Sequence, residues 1–212
     1  MTVDERMVTF IRSLYSEPSQ FLQDLEKQAH IDNVPVIRKE MQNILKLLLT
    51  IKNPSSILEI GTAIGFSALL MNEFCPEANI TTIEKYEKRI PIAKDNFKCA
   101  DKNNKITLLE GDALEIVGKL EGPYDFIFMD AAKGQYINFL PDLLRLLPKG
   151  GLLVSDNVLF DGEIIESRFA VTRRNRTIHS RMREYLYELN NNDRLVTSVL
   201  PVADGITISV KK

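Results

Sequence analysis

From Ser56 onward the chain alternates short, β-type apolar runs with longer stretches of helical periodicity, and few architectures accept that order. The apolar runs are Ile57–Ile60, Ile80–Glu84, Lys105–Glu110, Tyr124–Met129 and Gly150–Ser155. Helical patterns start near Phe66, cover Arg89–Ala100, start again at Ala113, run from beyond Gly134 to Leu147, and cover Thr177–Asn190. Such repetition predicts parallel strands joined by crossover helices, an α/β doubly wound sheet. The run ending at Met129 is continuously apolar from Phe126, so its strand is expected to be buried on both faces. The end of the chain is different. Leu195–Val202 and Ile206–Val210 are separated only by Ala203-Asp204-Gly205, which predicts a hairpin that adds an antiparallel strand to an otherwise parallel sheet.

Three helical stretches precede the first strand. Residues 3–14 place Val3, Met7, Phe10, Ile11 and Leu14 on one face, Ser19–Ala29 follows, and Val36–Ile51 points Met41, Ile44, Leu45 and Leu48 inward. They are expected to form an accessory layer or lid over 1–52, with the sheet core over 53–212. No linker, repeat or low-complexity segment interrupts the 212 residues, so one domain is expected. Hydrophobic content of 44% with 26% charged residues suits a soluble globular protein. The longest apolar stretch, Ile44–Ile51, is too short to span a bilayer, and the start lacks a basic and an apolar signal region. A cytoplasmic location without membrane partners is the expectation. Cys75 and Cys99 are each expected in a helical segment as buried or idle thiols. Neither they nor His30 and His179 fall at metal-ligand spacing, which argues against a zinc site.

Chemistry-bearing residues recur where apolar runs stop, at the carboxyl edge on which open α/β sheets bind ligands. Asp130 ends one run, with Lys133 and Gly134 in the loop beyond; alone, that pair would serve equally as a surface ion pair. Asp156-Asn157 ends the next run. If the two strands are neighbours, three hard oxygen ligands converge, a set suited to Mg²⁺. At the first junction, Glu59-Ile-Gly61-Thr-Ala-Ile-Gly65-Phe-Ser67 supplies glycines for close backbone approach and a helix start with unpaired N–H groups. The G-x-x-x-G spacing weakens a nicotinamide reading. Glu84 ends the second run, where an acid can accept hydrogen bonds from a ribose, and Gly111-Asp112-Ala113 ends the third, suited to an adenine edge. Together these ends predict a nucleoside pocket.

EIGTAIGFSALL, IEKYE, GDA, FMDAAKGQY, LLVSDN and the closing ADGITISV resemble the class I S-adenosylmethionine-dependent O-methyltransferases of the catechol and caffeoyl-CoA type. The resemblance runs from about Val34 to the C-terminus. It implies a Rossmann-like sheet of seven mostly parallel strands with S-adenosyl-L-methionine at the first three strand ends, held by Val36, Glu59, Gly61, Ser67, Glu84, Asp112, Ala113 and Asp130. It further implies a divalent metal, Mg²⁺ or another hard cation, on Asp130, Asp156 and Asn157, and Lys133 as catalytic base or charge stabiliser. The looser methyltransferase pattern carries glycine where this chain has Ala63. Metal chelation of two vicinal oxygens would select the acceptor by that feature, leaving catechols, hydroxycinnamoyl thioesters and 5-hydroxyuridine open.

Segment Arg168–Arg183, RFAVTRRNRTIHSRMR, concentrates arginine without one acid in a chain of 27 basic and 29 acidic residues. It follows the Asp156-Asn157 end and should lie near the acceptor's entrance. A solvated helix face or a homodimer contact would explain it, as would a phosphate-binding surface. With TRRNRTI included, the chain is similar to bacterial tRNA 5-hydroxyuridine methyltransferases, which act on the wobble uridine. That implies the tRNA anticodon loop as partner, no DNA, and Arg173, Arg174 and Arg176 as RNA contacts. A homodimer is also expected. The remaining alternatives are a small-molecule catechol or hydroxycinnamoyl-CoA O-methyltransferase, and a non-catalytic RNA-binding protein that kept the fold.

Overall fold

The computed structural model describes residues 4–101 and 103–212, with Asp161 by its backbone alone. Among these residues lie α1 (Glu5–Ser13), α2 (Gln20–Ile31), α3 (Lys39–Lys52), β1 (Ser56–Ile60), α4 (Phe66–Phe74), β2 (Asn79–Glu84), α5 (Ile90–Ala100), β3 (Ile106–Glu110), α6 (Ala113–Val117), β4 (Phe126–Met129), α7 (Tyr136–Leu146), β5 (Leu152–Ser155), α8 (Arg176–Asn191), β6 (Leu195–Leu200) and β7 (Ile206–Lys211). Two 3₁₀ segments, Lys133–Gln135 and Phe160–Ile165, lie in the loops after β4 and β5. The strands form one seven-stranded sheet in the order β3-β2-β1-β4-β5-β7-β6. β1 to β5 are mutually parallel, and β7 runs antiparallel to both β5 and β6.

The period-2 geometry of strands divides the apolar run of β4 between two cores. Phe126 and Phe128 face a layer made with α2 to α5, while Ile127 and Met129 face one made with α7 and α8. β5 does the same, with Leu152 and Val154 on one side and Leu153 on the other. Both faces are therefore covered, as the continuous apolar pattern requires.

The N-terminal helices differ from a simple lid. Leu22 and Ala29 of α2 and Met41, Leu45 and Leu49 of α3 are buried in the first core, so these helices complete one face of the sheet. Ile44 and Leu48 pack at its margin. α1 buries nothing: Met7, Phe10, Ile11 and Leu14 all stay exposed, and Val3 lies outside the described residues. α3 starts at Lys39 instead of Val36. Pro35 disfavours helical backbone in the residue before it, and Arg38 closes the extended stretch as an N-cap with φ −66° and ψ 156°. The displaced Val36 and Ile37 instead form a wall of the cleft described next. Cys75 lies just past α4 and is buried, whereas Cys99 in α5 is exposed. Among the described residues no helix is long and apolar enough to cross a membrane.

Candidate functional site

A cleft of about 550 Å³ runs along the carboxyl ends of β1, β2, β3, β4 and β5 and is roofed by Pro35–Arg38. It brings together Val36, Gly61, Ser67, Glu84, Asp112, Ala113, Asp130, Lys133, Asp156 and Asn157, every site position expected from the strand ends except Glu59. Its size suits a drug-sized or nucleoside ligand.

On the β1–β3 side the backbone organises the acids. Glu84 accepts from Ala63 N at 2.8 Å through one oxygen, and from Tyr86 N at 2.8 Å and Lys85 N at 3.0 Å through the other. Ala63 reaches it by taking a left-handed conformation, φ 48°, where the looser pattern has glycine. Asp112 caps α6 by accepting from Leu114 N at 2.9 Å, and this bond first, with Lys85 nearby, holds its carboxyl below the usual range. Gly61, at φ +103°, is required sterically: a Cβ there would stand 2.0 Å from the carbonyl oxygen of Asp130. The β1 turn thus rests directly on the end of β4.

Glu59 is fully buried and is not among the residues that line the cleft. One carboxylate oxygen accepts from Thr82, whose hydroxyl also bonds that of Thr62, and the hydroxyl of Ser67, a residue of the cleft wall, also interacts with the carboxylate. Burial is the main reason its carboxyl is pushed up to about 7.

On the β4–β5 side the acids face each other. Met129 pairs with Ser155 in register, so Asp130 and Asp156 emerge side by side, and Asp156 N donates to Met129 O at 3.0 Å. Asp156 is 3% exposed. Burial and then Asp130 push its carboxyl up to about 7, with Asp204 adding to the shift; burial pushes Asp130 up to about 6 against the pull of Lys133. Asn157 follows with φ 56° and its N donates to Asp156 Oδ1 at 2.7 Å. Tyr136 holds both strand ends, its hydroxyl donating to Asp156 O at 3.0 Å, and its ring meets that of Tyr185 edge-on at 5.5 Å.

Asp204 is the site residue that sequence reasoning passed over. The hairpin turn carrying it is interlocked with the segment after Asn157, since Val158 N donates to Gly205 O and Leu159 N to Asp204 O, each at 2.9 Å. Its side chain lines the cleft and pairs with Lys133 Nζ at 3.0 Å. The ammonium also lies 5.0 Å from the ring centre of Phe160. Lys133 Nζ is therefore held in place between Asp204 and the Phe160 ring.

A buried carboxylate, a half-buried one beside it and an amide in one corner form a donor set that a hard divalent cation would neutralise. Among the described residues there is no cluster of three or more His, Cys, Asp or Glu of metal-binding kind, so any such set here depends on the amide of Asn157.

None of the six arginines lines the cleft, and they divide into two groups. Arg176 donates to Val171 O at 3.3 Å, Arg181 to Gly134 O at 3.0 Å and Arg183 to Ile164 O at 2.8 Å, so these three tie loops to α8. Arg176, expected as an RNA contact, uses Nε for this structural tie. Arg168, Arg173 and Arg174 are exposed, and none forms an ion pair among the described residues.

The O-methyltransferase family model matches residues 12–212, and the chain belongs to that family. It is 31% identical over 213 residues to caffeoyl-CoA O-methyltransferase 2 of Populus trichocarpa, covering 92% of this chain and 83% of the relative. A Staphylococcus aureus structure provisionally named a caffeoyl-CoA O-methyltransferase is 30% identical with a TM-score of 0.87, covering 98% of both chains. An SAH-bound Podospora anserina methyltransferase is 25% identical with a TM-score of 0.88, covering 98% of this chain and 94% of that one.

Proposed function

We propose that this O-methyltransferase binds S-adenosylmethionine across the β1–β3 ends and methylates one of two vicinal oxygens on an acceptor held over the β4–β5 ends. The observation that carries the reading is the meeting, across the Gly61 turn, of a backbone-stitched pocket with the repelling pair Asp130 and Asp156. Glu84 Oε2, which accepts from Ala63 N alone, retains a lone pair for a ribose hydroxyl, and the SAH-bound relative supports the donor assignment. Asp130, Asp156 and Asn157 would hold Mg²⁺ or another hard divalent cation. When bound, the donor supplies an electrophilic methyl group and the cation stabilises an ionised acceptor hydroxyl. Lys133, fixed by Asp204 and Phe160, offers positive charge to the oxygen that loses its proton. The roof at Val36 and Arg38 orients the ligands and reduces access of water.

The names of the curated relatives favour a hydroxycinnamoyl-CoA ester or a related catechol as acceptor. A second reading draws on Arg168, Arg173 and Arg174, exposed cations that a free catechol would leave unused and that the phosphates of either a CoA ester or an RNA would engage. It is the 5-hydroxyuridine at the wobble position of a tRNA anticodon loop, converted to 5-methoxyuridine. The vicinal 5-hydroxyl and 4-carbonyl match the two oxygens of a catechol. A non-catalytic RNA-binding role fits less well, since binding alone does not call for Asp130, Lys133, Asp156 and Asn157 together.

The test is methyl transfer from labelled S-adenosylmethionine with Mg²⁺ to caffeoyl-CoA, to catechol and to tRNA lacking the methyl group. Products are read by mass spectrometry, with the tRNA digested to nucleosides. Transfer to an acceptor with vicinal oxygens supports the chemistry and the acceptor identifies the carrier; transfer to none of the three overturns the reading.

A further inference from the structure

The stretch FMDAAKGQY closes on Tyr136, a residue that does not line the cleft. It opens α7 directly after the 3₁₀ turn that carries Lys133, and it is fully buried. Phenylalanine would serve packing there without burying a hydroxyl, so the hydroxyl has to be matched. It donates to Asp156 O at 3.0 Å, with Met129 O further off at 3.3 Å. A phenol has a single proton to give, and Met129 O already accepts from Asp156 N. Asp156 O is its main partner.

That carbonyl belongs to the peptide joining Asp156 to Asn157, the two ligands expected at the end of β5. The other polar group of the same peptide is Asn157 N, which donates to Asp156 Oδ1 at 2.7 Å. The peptide is thus clamped on both sides, by a phenol from α7 and by the carboxylate of Asp156 itself. Asn157 stands at φ 56°, a left-handed conformation that asparagine tolerates but does not prefer. A flip of the peptide plane would relieve Asn157. It would also break the bond from Asn157 N to Asp156 Oδ1 and leave the carboxylate free to rotate. The Tyr136 hydroxyl opposes that flip, because Asp156 O would have to leave it.

We propose that Tyr136 is a positioning residue whose hydroxyl locks the Asp156–Asn157 peptide and so orients the carboxylate and amide that would receive a divalent cation. The inference rests on the cation reading of the acceptor half and adds the group that holds its ligands in place. Tyr185 supplies a comparison within the same core. Its ring meets that of Tyr136 edge-on and is equally buried, but its hydroxyl pairs with Ser155 Oγ at 2.6 Å. Ser155 stops one residue short of the ligands. Removing either hydroxyl breaks a buried hydrogen bond, and only that of Tyr136 touches the ligand peptide.

The test compares wild type, Tyr136→Phe and Tyr185→Phe by calorimetric titration of Mg²⁺ with saturating SAH, by titration of SAH itself and by thermal melting. Both variants should melt slightly below wild type and by similar amounts, since each leaves a buried oxygen without its partner. Tyr136→Phe alone should weaken Mg²⁺ binding, by roughly 10- to 100-fold, the loss that follows removal of a group supporting a metal ligand. SAH affinity should hold in both. In methyl transfer, Tyr136→Phe should raise the Mg²⁺ concentration for half-maximal rate by the same factor and recover most of the maximal rate at saturation. A general loosening of the core would not give that split. In the metal-free wild type the Asn157 amide should exchange slowly with deuterium, because its peptide is already clamped. Mg²⁺ affinity unchanged in Tyr136→Phe, or weakened equally in Tyr185→Phe, overturns the positioning role and leaves the cation reading standing. Should Tyr136→Phe fail to fold, rapid exchange at Asn157 in the wild type overturns the role. Should the wild type bind no Mg²⁺, the cation reading fails and the positioning role with it.

Discussion

Along the β1–β3 ends, Glu84 and Asp112 are satisfied by backbone N–H groups, while along the β4–β5 ends the half-buried Asp130 and the buried Asp156 stand side by side with their carboxyls pushed up. The two halves of one cleft follow different physical plans. The donor half is organised before any ligand arrives, because the turns that form it supply its hydrogen bonds. The acceptor half stores repulsion that positive charge would relieve, with Lys133 drawn aside to Asp204. Gly61 joins them, since its missing Cβ lets the donor turn lie against Asp130. A preformed pocket beside an electrostatically incomplete one suits a reaction in which the donor binds in a fixed pose and the acceptor is recognised through a cation.

The sharpest way to break this contrast is Asp156→Ala. Methyl transfer should fall by at least ~10²-fold while donor affinity, measured by calorimetry with SAH, stays near wild type. Activity close to wild type would remove Asp156 from the acceptor half. The reciprocal change, Glu84→Ala, strips acceptors from Ala63, Lys85 and Tyr86 as well as from the ligand. Donor affinity should drop by ~1–3 kcal/mol, and an unchanged value would take Glu84 out of the donor site.

Stability against pH separates the halves further. Glu59, Asp130 and Asp156 have folded-state values of about 7, 6 and 7, above the ordinary 4.5 and 3.8. The native state therefore holds protons that the unfolded chain has released, and stability should fall as pH rises from about 4 to about 7 and then level off. Saturating Mg²⁺ should remove the share owed to Asp130 and Asp156 and leave that of Glu59, which Glu59→Gln should abolish. Urea melts across this range, with and without Mg²⁺, would show a slope insensitive to both changes if the assignment were wrong. The smallest effect belongs to Ala63→Gly, which relieves a left-handed alanine at the cost of a freer unfolded chain. The net change should stay within about 1 kcal/mol by the same melts, with SAH affinity retained.

The strand ends were legible in the sequence because each apolar run stops at the residue that carries chemistry: Glu84, Asp130, Asp156. A buried parallel strand leaves no ambiguity about where its edge lies. Asp204 was not legible as a partner of Lys133, being 71 residues away and brought there only by the pairing of β7 with β5. Nor could the spacing of the arginines separate Arg176, Arg181 and Arg183, which turn towards carbonyl oxygens, from their exposed neighbours. The amphipathic pattern of α1 suggested a buried face that the structure leaves uncovered, because α2 and α3 already fill that side of the sheet. The burial of Glu59 was not legible from its place before the glycine turn; strand alternation directs it inward against Thr82.

On this reading a cation completes the acceptor half and not the donor half. Calorimetric titration of Mg²⁺ into the wild type, Asp156→Ala and Glu84→Ala, each with saturating SAH, tests it directly. The wild type should show a saturable site that Asp156→Ala loses and Glu84→Ala keeps, with methyl transfer stopped by chelation and restored by added Mg²⁺. Absence of saturable binding in the wild type together with transfer that survives thorough chelation, or binding indifferent to Asp156→Ala, would contradict it.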